Sequence, residues 1–169
     1  LVLVDGRVEA IAPDFVNELC GWVYGHREIG WAAAIALRLD ETVIEAGRVA
    51  GEAGHSAPLF RGVPLRSWGW FGGALWYRNA AAASPYAFAL RRTDLAGIPP
   101  APAEPFGTWW LRVCVALRAG GRRGLVDPHA RVWFAHDPEP APSPWHESFA
   151  RDPYFHPHFR SVSPLRLLP

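Results

Sequence analysis

Residues 29–39 have the sequence IGWAAAIALRL, a continuous apolar run followed by polar turn residues. Residues 1–4, LVLV, form a second apolar run, which stops at Asp5-Gly6. Runs of this kind are typical of strands buried on both faces of a parallel sheet. We therefore expect both segments to lie inside such a sheet. Shorter strand candidates lie at 42–49, 86–90, 124–126 and 130–135.

Two further segments have the periodicity of amphipathic helices. Pro13 suits the first turn of a helix to about Tyr24, and Thr108 is a favourable N-cap for a helix to about Ala119. Strands that alternate with helices predict an α/β sandwich with a mostly parallel sheet flanked by helices. The predicted apolar faces are Phe15, Leu19, Trp22 and Val23 in the first helix, and Trp110, Val113, Cys114 and Leu117 in the second.

Composition limits the classes of function. The chain has 169 residues, which fits one domain, and its formal net charge is +1. So small a charge disfavours a nucleic-acid partner or an anionic membrane surface. No apolar run approaches the roughly 20 residues of a membrane span. Cys20 and Cys114 each sit among apolar residues, which favours two buried thiols and a cytoplasmic protein over a disulfide framework.

Two segments lack a clean period. Residues 50–76 are rich in Gly, Pro and Trp, and we expect a long ordered loop region there. Long loops in compact domains tend to be functional. Residues 137–169 are rich in proline and aromatic residues and predict a tail that wraps over the surface, which leaves residues 1–136 as the folded domain.

Seven segments, in this order, resemble bacterial family-2 inverting glycosyltransferases of the rhamnosyltransferase and O-antigen type. The resemblance implies the C-terminal portion of a GT-A fold over residues 1–136. It also implies a nucleotide-sugar donor, a glycan or cell-surface polysaccharide acceptor, and the rest of a larger glycosyltransferase polypeptide as a partner. The segments are LVLVDGRVEAIAPDFVNEL (1–19), IGWAAAIALRLDETVIEAGRV (29–49), GHSAPLFRGVP (54–64), WGWFGGALWYRN (68–79), SPYAFALRR (84–92), LRVCVALRAGGRRGLVDPHARVWFAH (111–136) and DPYFHPHF (152–159).

The resemblance places donor and metal binding at the end of the first strand. Members of the family carry an Asp-x-Asp motif there, which binds Mg²⁺ or Mn²⁺ through oxygen ligands. In this chain Asp5 stands at the first carboxylate and Arg7 replaces the last. A cation disfavours a metal, but a guanidinium fork can bridge a diphosphate directly. The alternative is an ordinary Asp-Gly turn with a solvated arginine.

The expected catalytic base is also changed. Where the family has an acidic pair followed by a helix aspartate, this chain has Trp109, Trp110 and Arg112. An indole cannot accept a proton from an acceptor hydroxyl. Glu104 is the nearby carboxylate that can take this catalytic role. The competing interpretation is a solvated glutamate in the Pro-rich loop 97–105.

Aromatic and basic residues offer an acceptor site. Trp68, Trp70 and Trp76 lie in the long loop region, where indole faces can stack on sugar rings; the alternative is that they fill the core. Arg91 and Arg92 match the paired arginines that follow the family's acceptor strand, although such pairs are more often solvated strand ends.

A histidine after the last strand is sometimes a metal ligand in the family, and His136 is the candidate here. We therefore predict Asp5 and His136 as possible metal ligands, with Mn²⁺ or Mg²⁺ as the cofactor. No pair of histidines near the C-terminus has a recognised zinc spacing, so surface histidines are the alternative. The other histidines of this end are His129, His146, His156 and His158.

Three hypotheses follow from these residues. The first is an active or partly active glycosyltransferase. The second is a non-catalytic module that keeps the scaffold and binds a glycan or a partner chain. The third is a small binding protein whose similarity to the family is accidental. Non-carboxylates at Arg7, Trp109, Trp110 and Arg112 favour loss of the usual metal-dependent chemistry.

Overall fold

The structure is a computed structural model that describes residues 1–50, 56–68, 70–138, 152–154, 159–160 and 166–167. Its helices are α1 (Phe15–Gly25) and α2 (Phe106–Ala119), with short 3₁₀ helices at Trp70–Leu75 and Arg92–Leu95. Its strands are β1 (Val2–Val4), β2 (Ala10–Ile11), β3 (Ile29–Arg38), β4 (Val43–Glu45), β5 (Arg48–Ala50), β6 (Ser56–Pro58), β7 (Arg78–Asn79), β8 (Ala87–Leu90), β9 (Arg123–Phe134), β10 (Phe159–Arg160) and β11 (Arg166–Leu167).

The main sheet has seven strands in the order β1-β8-β3-β9-β2, with β4 also paired to β3 and β7 also paired to β9. In the described part of the chain, β3 and β9 form its one parallel pair, and the other pairs are antiparallel. The prediction of a mostly parallel sheet is therefore wrong. An apolar run shows that a strand is buried, and burial does not fix the direction of its neighbours. Short links such as the one between β3 and β4 can join only antiparallel strands.

Strand β3 carries the core on both faces, and the helices cover these faces, so the predicted α/β sandwich is confirmed at that level. Ala32, Ala34 and Ala36 pack with Phe15 and Leu19 of α1. The alternate side chains of β3 pack on the α2 side; they are Trp31, Ala33, Ile35 and Leu37. Successive side chains of a strand point to opposite faces, which explains this division. The small alanines allow α1 to approach the sheet closely.

Strand β1 lies at the edge of the sheet, where β8 is its neighbour. Leu1 and Val4 are 46% and 44% exposed. The expectation that this strand is buried on both faces is therefore wrong. Sequence alone gives its apolar character but not its place in the strand order.

Both predicted helices are present, but both begin at a different residue from the prediction. α1 begins at Phe15 after the N-cap residue Asp14, so Pro13 lies before the helix and not in its first turn. α2 begins at Phe106, and Pro105 rather than Thr108 is its N-cap residue. The predicted strand over 42–49 is two strands, β4 and β5, separated at Gly47. That glycine has a φ of +85°, and a Cβ there would lie 2.7 Å from Cγ2 of Val126. Both the turn and the close approach therefore require glycine.

The two strand candidates near the C-terminus of the domain are one long strand, β9, with a bulge. Its register against β3 shifts from Ala34–Asp127 to Ile35–Arg131. Residues 128–130 are therefore extra residues on β9. Such bulges bend a strand and re-aim side chains, and they are frequent next to active sites.

Cys114 is buried, Cys20 is partly buried, and both are free thiols. Most of the predicted tail, 137–169, lies outside the described residues. Neither helix of the described chain has the length and apolar character to cross a bilayer.

Candidate functional site

The carboxyl ends of β1, β3 and β9 lie at the same end of the sheet. β1 and β3 each run antiparallel to β8, and β3 runs parallel to β9. Asp5 follows β1 directly, and His136 lies two residues after β9. The structure therefore brings the predicted donor and metal residues to one end of the sheet, although not into contact.

Asp5 is held by Arg7. The Nη2 atom of Arg7 lies 2.8 Å from Oδ2 of Asp5, while its Nε and backbone N–H donate to Oδ1 at 3.0 and 2.9 Å. The side-chain hydrogen bond from Arg7 lowers the pKa of Asp5, against an opposing effect of burial. Both carboxylate oxygens thus already accept strong, charge-assisted bonds. This arrangement does not fit a divalent cation, whose ligand oxygens must point to a common centre.

Asp5 and His136 are also too far apart to share one ion. β8 and β3 lie between β1 and β9. Three strand spacings put the ends of β1 and β9 about 14 Å apart. In the described ranges, no cluster of three or more His, Cys, Asp or Glu side chains could hold a metal ion. His146, His156 and His158 lie outside those ranges.

Other carboxylates at this end are also paired with arginines. Asp137 accepts two hydrogen bonds of 2.6 Å from Arg38 and one of 3.1 Å from Arg61. Glu45 accepts one of 3.1 Å from Arg48, and both side chains are buried. No sequence motif points to any of these residues. They lie singly among apolar residues in separate segments, so the sequence does not predict that they form ion pairs.

Glu45 is the most perturbed of these groups. Burial raises its pKa to about 7, while the charges of Arg48 and Arg61 act in the opposite direction. The pKa of Tyr86 is raised to about 12. Burial is the main cause, and the negative charge of the nearby Glu45 raises this pKa further. The buried hydroxyl of Tyr86 has no hydrogen-bond partner among the described residues. The carboxyl end of the sheet is therefore charged and partly dehydrated.

Glu104, the candidate base, is paired with Arg112. The Nε and Nη2 atoms of Arg112 lie 3.2 and 2.8 Å from the two carboxylate oxygens, and the backbone N–H of Ala101 donates at 3.0 Å. The hydrogen bond from Arg112 is the main cause of a lowered pKa at Glu104. A lowered pKa makes a carboxylate a weaker base, so this geometry favours an anchor for the loop ahead of α2.

The tryptophans at the positions where the resemblance implied acids have structural contacts. Trp110 stacks on Phe88 with ring centroids 3.6 Å apart, and its Nε1 donates to the carbonyl oxygen of Ala83. Trp109 donates to the carbonyl oxygen of Ile98 at 3.0 Å. These two positions build the core on the α2 side and cannot move a proton.

Two of the three predicted acceptor tryptophans do not fill the core. Trp68 is 71% exposed and Trp76 is 60% exposed. The loop that carries them is tight: a Cβ at Gly72 would lie 2.9 Å from the ring of Trp76, and one at Gly73 would lie 2.6 Å from the carbonyl oxygen of Ser67. The side chain of Trp70 lies outside the described residues. Two large aromatic side chains are thus exposed on a closely packed loop.

The two predicted acceptor arginines differ from each other. Arg91 donates to the carbonyl oxygens of Ile29 at 2.8 Å and His26 at 2.7 Å, and also to that of Val23. It therefore donates to two carbonyl groups at the C-terminal end of α1, those of Val23 and His26, and to the first carbonyl group of β3. Arg92 is exposed at the start of a 3₁₀ helix. The structure thus gives Arg91 a role in the fold.

A groove that no sequence motif indicates lies along one side of α1. It has a volume of about 380 Å³, and its lining includes Asn17, Glu18, Trp22, His26 and Tyr77. Tyr77 is far in sequence from the others, which explains why no motif indicated the groove. Trp22 was predicted on the apolar face of α1, and the structure places it at the border between that face and the groove.

The sites described above are defined by the geometry of the chain's own residues. In comparisons with known proteins, no family model, no curated protein and no solved structure matches the chain.

Proposed function

We propose that this chain is a glycosyltransferase-like domain, with a partial GT-A-like fold, that recognises a glycan and is impaired in sugar transfer. The observation that carries the proposal is a contrast between two groups of residues. The predicted catalytic and metal-binding carboxylates, Glu104 and Asp5, are each bonded to an arginine. The predicted acceptor tryptophans Trp68 and Trp76 are exposed.

Exposed tryptophans support glycan recognition because an indole has a large flat apolar face. Water covers such a face at a cost in free energy, and the apolar face of a sugar ring can replace that water. A domain that used these residues only for stability would gain more by burying them. The acceptor is proposed to be a glycan or a cell-surface polysaccharide, as the family resemblance implies.

The paired carboxylates support impaired transfer. An inverting transferase needs a carboxylate that accepts the proton of the acceptor hydroxyl, and a cation that stabilises the leaving diphosphate. Arg7 and Arg112 neutralise the two carboxylates that the resemblance assigns to these roles. This pairing favours the non-catalytic alternative over an active enzyme. In that alternative, the chain is a glycan-binding or partner-binding module within a larger glycosyltransferase polypeptide. Two free thiols favour a cytoplasmic location.

The test is ligand-dependent thermal unfolding of the chain with a panel of rhamnose-containing bacterial surface oligosaccharides. A ligand that binds only the folded state raises the unfolding temperature. We expect stabilisation of the unaltered chain and its loss in the double variant Trp68→Ala/Trp76→Ala. Tyr24→Ala is the matched control, because Tyr24 is a similarly exposed aromatic residue on α1. Equal stabilisation of the double variant would contradict the proposed role of the tryptophans.

A further inference from the structure

The groove along α1 lies beside a gap in the edge of the sheet. β7 pairs with Leu125 and Val126 of β9, and β2 pairs with Val132 and Trp133. Residues 127–131, which contain the bulge of β9, lie between these two short strands. The outer edge of β9 therefore lacks a paired strand at the bulge in the described part of the chain, and α1 borders the opening.

Aromatic rings form one wall of the groove. The ring of Trp22 stacks against His26 at 5.0 Å and meets Tyr77 edge-on at 5.1 Å. Tyr77 also contacts the ring of His129, at 5.5 Å, and is 44% exposed. These contacts hold Tyr77 in place while leaving nearly half of its surface open. A fixed aromatic face of this kind suits the apolar face of a sugar ring.

Carboxylates form the other part of the lining. Asp14 and Glu18 line the groove directly, and the fully buried Asp127 lies behind Glu18. Oδ1 of Asp127 accepts hydrogen bonds from the backbone of His129 and Ala130, at 2.8 and 3.3 Å. Its Oδ2 is buried and has no partner among the described residues. The carboxyl groups of Asp127 and Glu18 are also close enough for a hydrogen bond between them, and two carboxyl groups that share one proton keep one negative charge beside the groove.

The state of Glu18 agrees with this geometry. Burial raises its pKa first, the negative charge of Asp127 and a side-chain hydrogen bond with Asp127 raise it further, and the charge of His129 acts in the opposite direction. Two carboxyl groups that repel each other are stabilised by a positive charge or by hydrogen-bond donors. Among the described residues that line the groove, none is an arginine. A ligand that brings its own positive charge therefore complements the groove, and an anionic nucleotide does not.

We propose that this groove binds a sugar unit that carries an ammonium group, with its ring against Tyr77 and Trp22 and its ammonium beside Glu18. The choice of a sugar rests on the proposed function; the choice of a cation rests on Glu18, Asp14 and Asp127. The volume of about 380 Å³ lies in the range of small-molecule sites. The groove is on the β9 edge of the sheet, opposite β1 and Asp5, and is therefore a separate site from the predicted donor end.

The test is NMR titration of the full chain, near neutral pH, with three probes: methyl glucosaminide, methyl N-acetylglucosaminide and tetramethylammonium. The first has both sugar ring and ammonium, the second has the ring alone, and the third has the charge alone. The variants are Tyr77→Ala and Glu18→Gln, with Tyr24→Ala as the control on the same helix. Denaturation curves of each variant establish that it is folded, and Glu18→Gln keeps the side-chain shape if Tyr77→Ala does not fold.

We expect methyl glucosaminide to bind most tightly and to shift the indole N–H signal of Trp22. Tyr77→Ala and Glu18→Gln each weaken that binding roughly tenfold, since each removes one main contact, whereas Tyr24→Ala leaves it unchanged. Absence of binding, equal binding of the N-acetyl probe, or equal binding of tetramethylammonium would each overturn the proposal. These results are independent of Trp68 and Trp76, so the double variant at those positions shows separately whether the proposed function fails.

Discussion

Arg112 of α2 holds both carboxylate oxygens of Glu104, with nitrogen–oxygen distances of 3.2 and 2.8 Å. Arg112 stands where the resemblance implies a helix aspartate. It thus neutralises Glu104, the carboxylate that was the candidate catalytic base. An arginine in place of the helix aspartate and an arginine bound to Glu104 both remove a proton acceptor. Neither position can accept a proton readily at neutral pH.

Arg112→Met is expected to raise the pKa of Glu104 toward its ordinary value of 4.5, because the hydrogen bond from Arg112 is the main cause of the lowered pKa. A carboxylate with a lowered folded pKa stabilises the fold above its unfolded pKa, and this contribution is lost as the pH falls through the folded pKa. The variant and the unaltered chain should therefore converge in stability once the pH has fallen below the folded pKa of Glu104. NMR titration of the Glu104 carboxyl measures the shift, with Arg92→Met as control. An unchanged pKa would exclude Arg112 as its cause.

Arg91→Met is expected to destabilise the fold by about 1–3 kcal/mol, because it removes the Arg91 donor from the partly buried carbonyl groups of Val23 and Ile29. Arg92→Met is the matched control, since the exposed Arg92 is adjacent in sequence. We expect its effect to be within about 0.5 kcal/mol. Urea denaturation of both variants measures the difference. Equal stability of the two would show that the bonds from Arg91 to Val23, Ile29 and His26 contribute little.

Glu45 predicts a loss of stability with rising pH. Its folded pKa is about 7, against an ordinary value of 4.5. Between these values the folded chain keeps a proton that the unfolded chain has released, so the free energy of unfolding falls as the pH rises through this window. In Glu45→Gln the side chain is neutral throughout. As the pH rises from the ordinary pKa of Glu45 to its folded pKa, the unaltered chain should therefore lose more stability than the variant. The difference is on the order of a few kcal/mol.

Urea denaturation on both sides of this window, near pH 5 and pH 8, measures the two slopes. Glu9→Gln, an exposed position, is the control and should follow the unaltered chain. A steeper loss of stability in Glu45→Gln than in the unaltered chain would contradict the raised pKa.

Local patterns predicted the elements of this fold better than their arrangement. Phe15, Leu19 and Val23 recur at helical spacing, and α1 buries these three residues. The direction of β8 and the edge position of β1 depend on contacts between segments distant in sequence. No local period carries that information, which is why the sheet was expected to be mostly parallel.

The site was predictable only where its residues are neighbours in sequence. Asp5 and Arg7 are two residues apart, so the sequence alone places them near each other. Glu18, Tyr77 and Asp127 come from three distant segments, and each looks ordinary alone. The available sequence signal is Asp127-Pro128 between two strand candidates, because a proline interrupts regular strand pairing and is frequent at bulges.

Calorimetric titration with UDP-, GDP- and dTDP-sugars, with and without Mn²⁺, tests the central claim most directly. That claim is that Arg7 occupies the carboxylate of Asp5 and prevents metal-dependent donor binding. We expect no Mn²⁺-dependent heat of binding in the unaltered chain, and a gain of Mn²⁺ binding in Arg7→Asp, which frees Asp5 and adds a second carboxylate. Mn²⁺-dependent binding of any of these donors to the unaltered chain would contradict the claim.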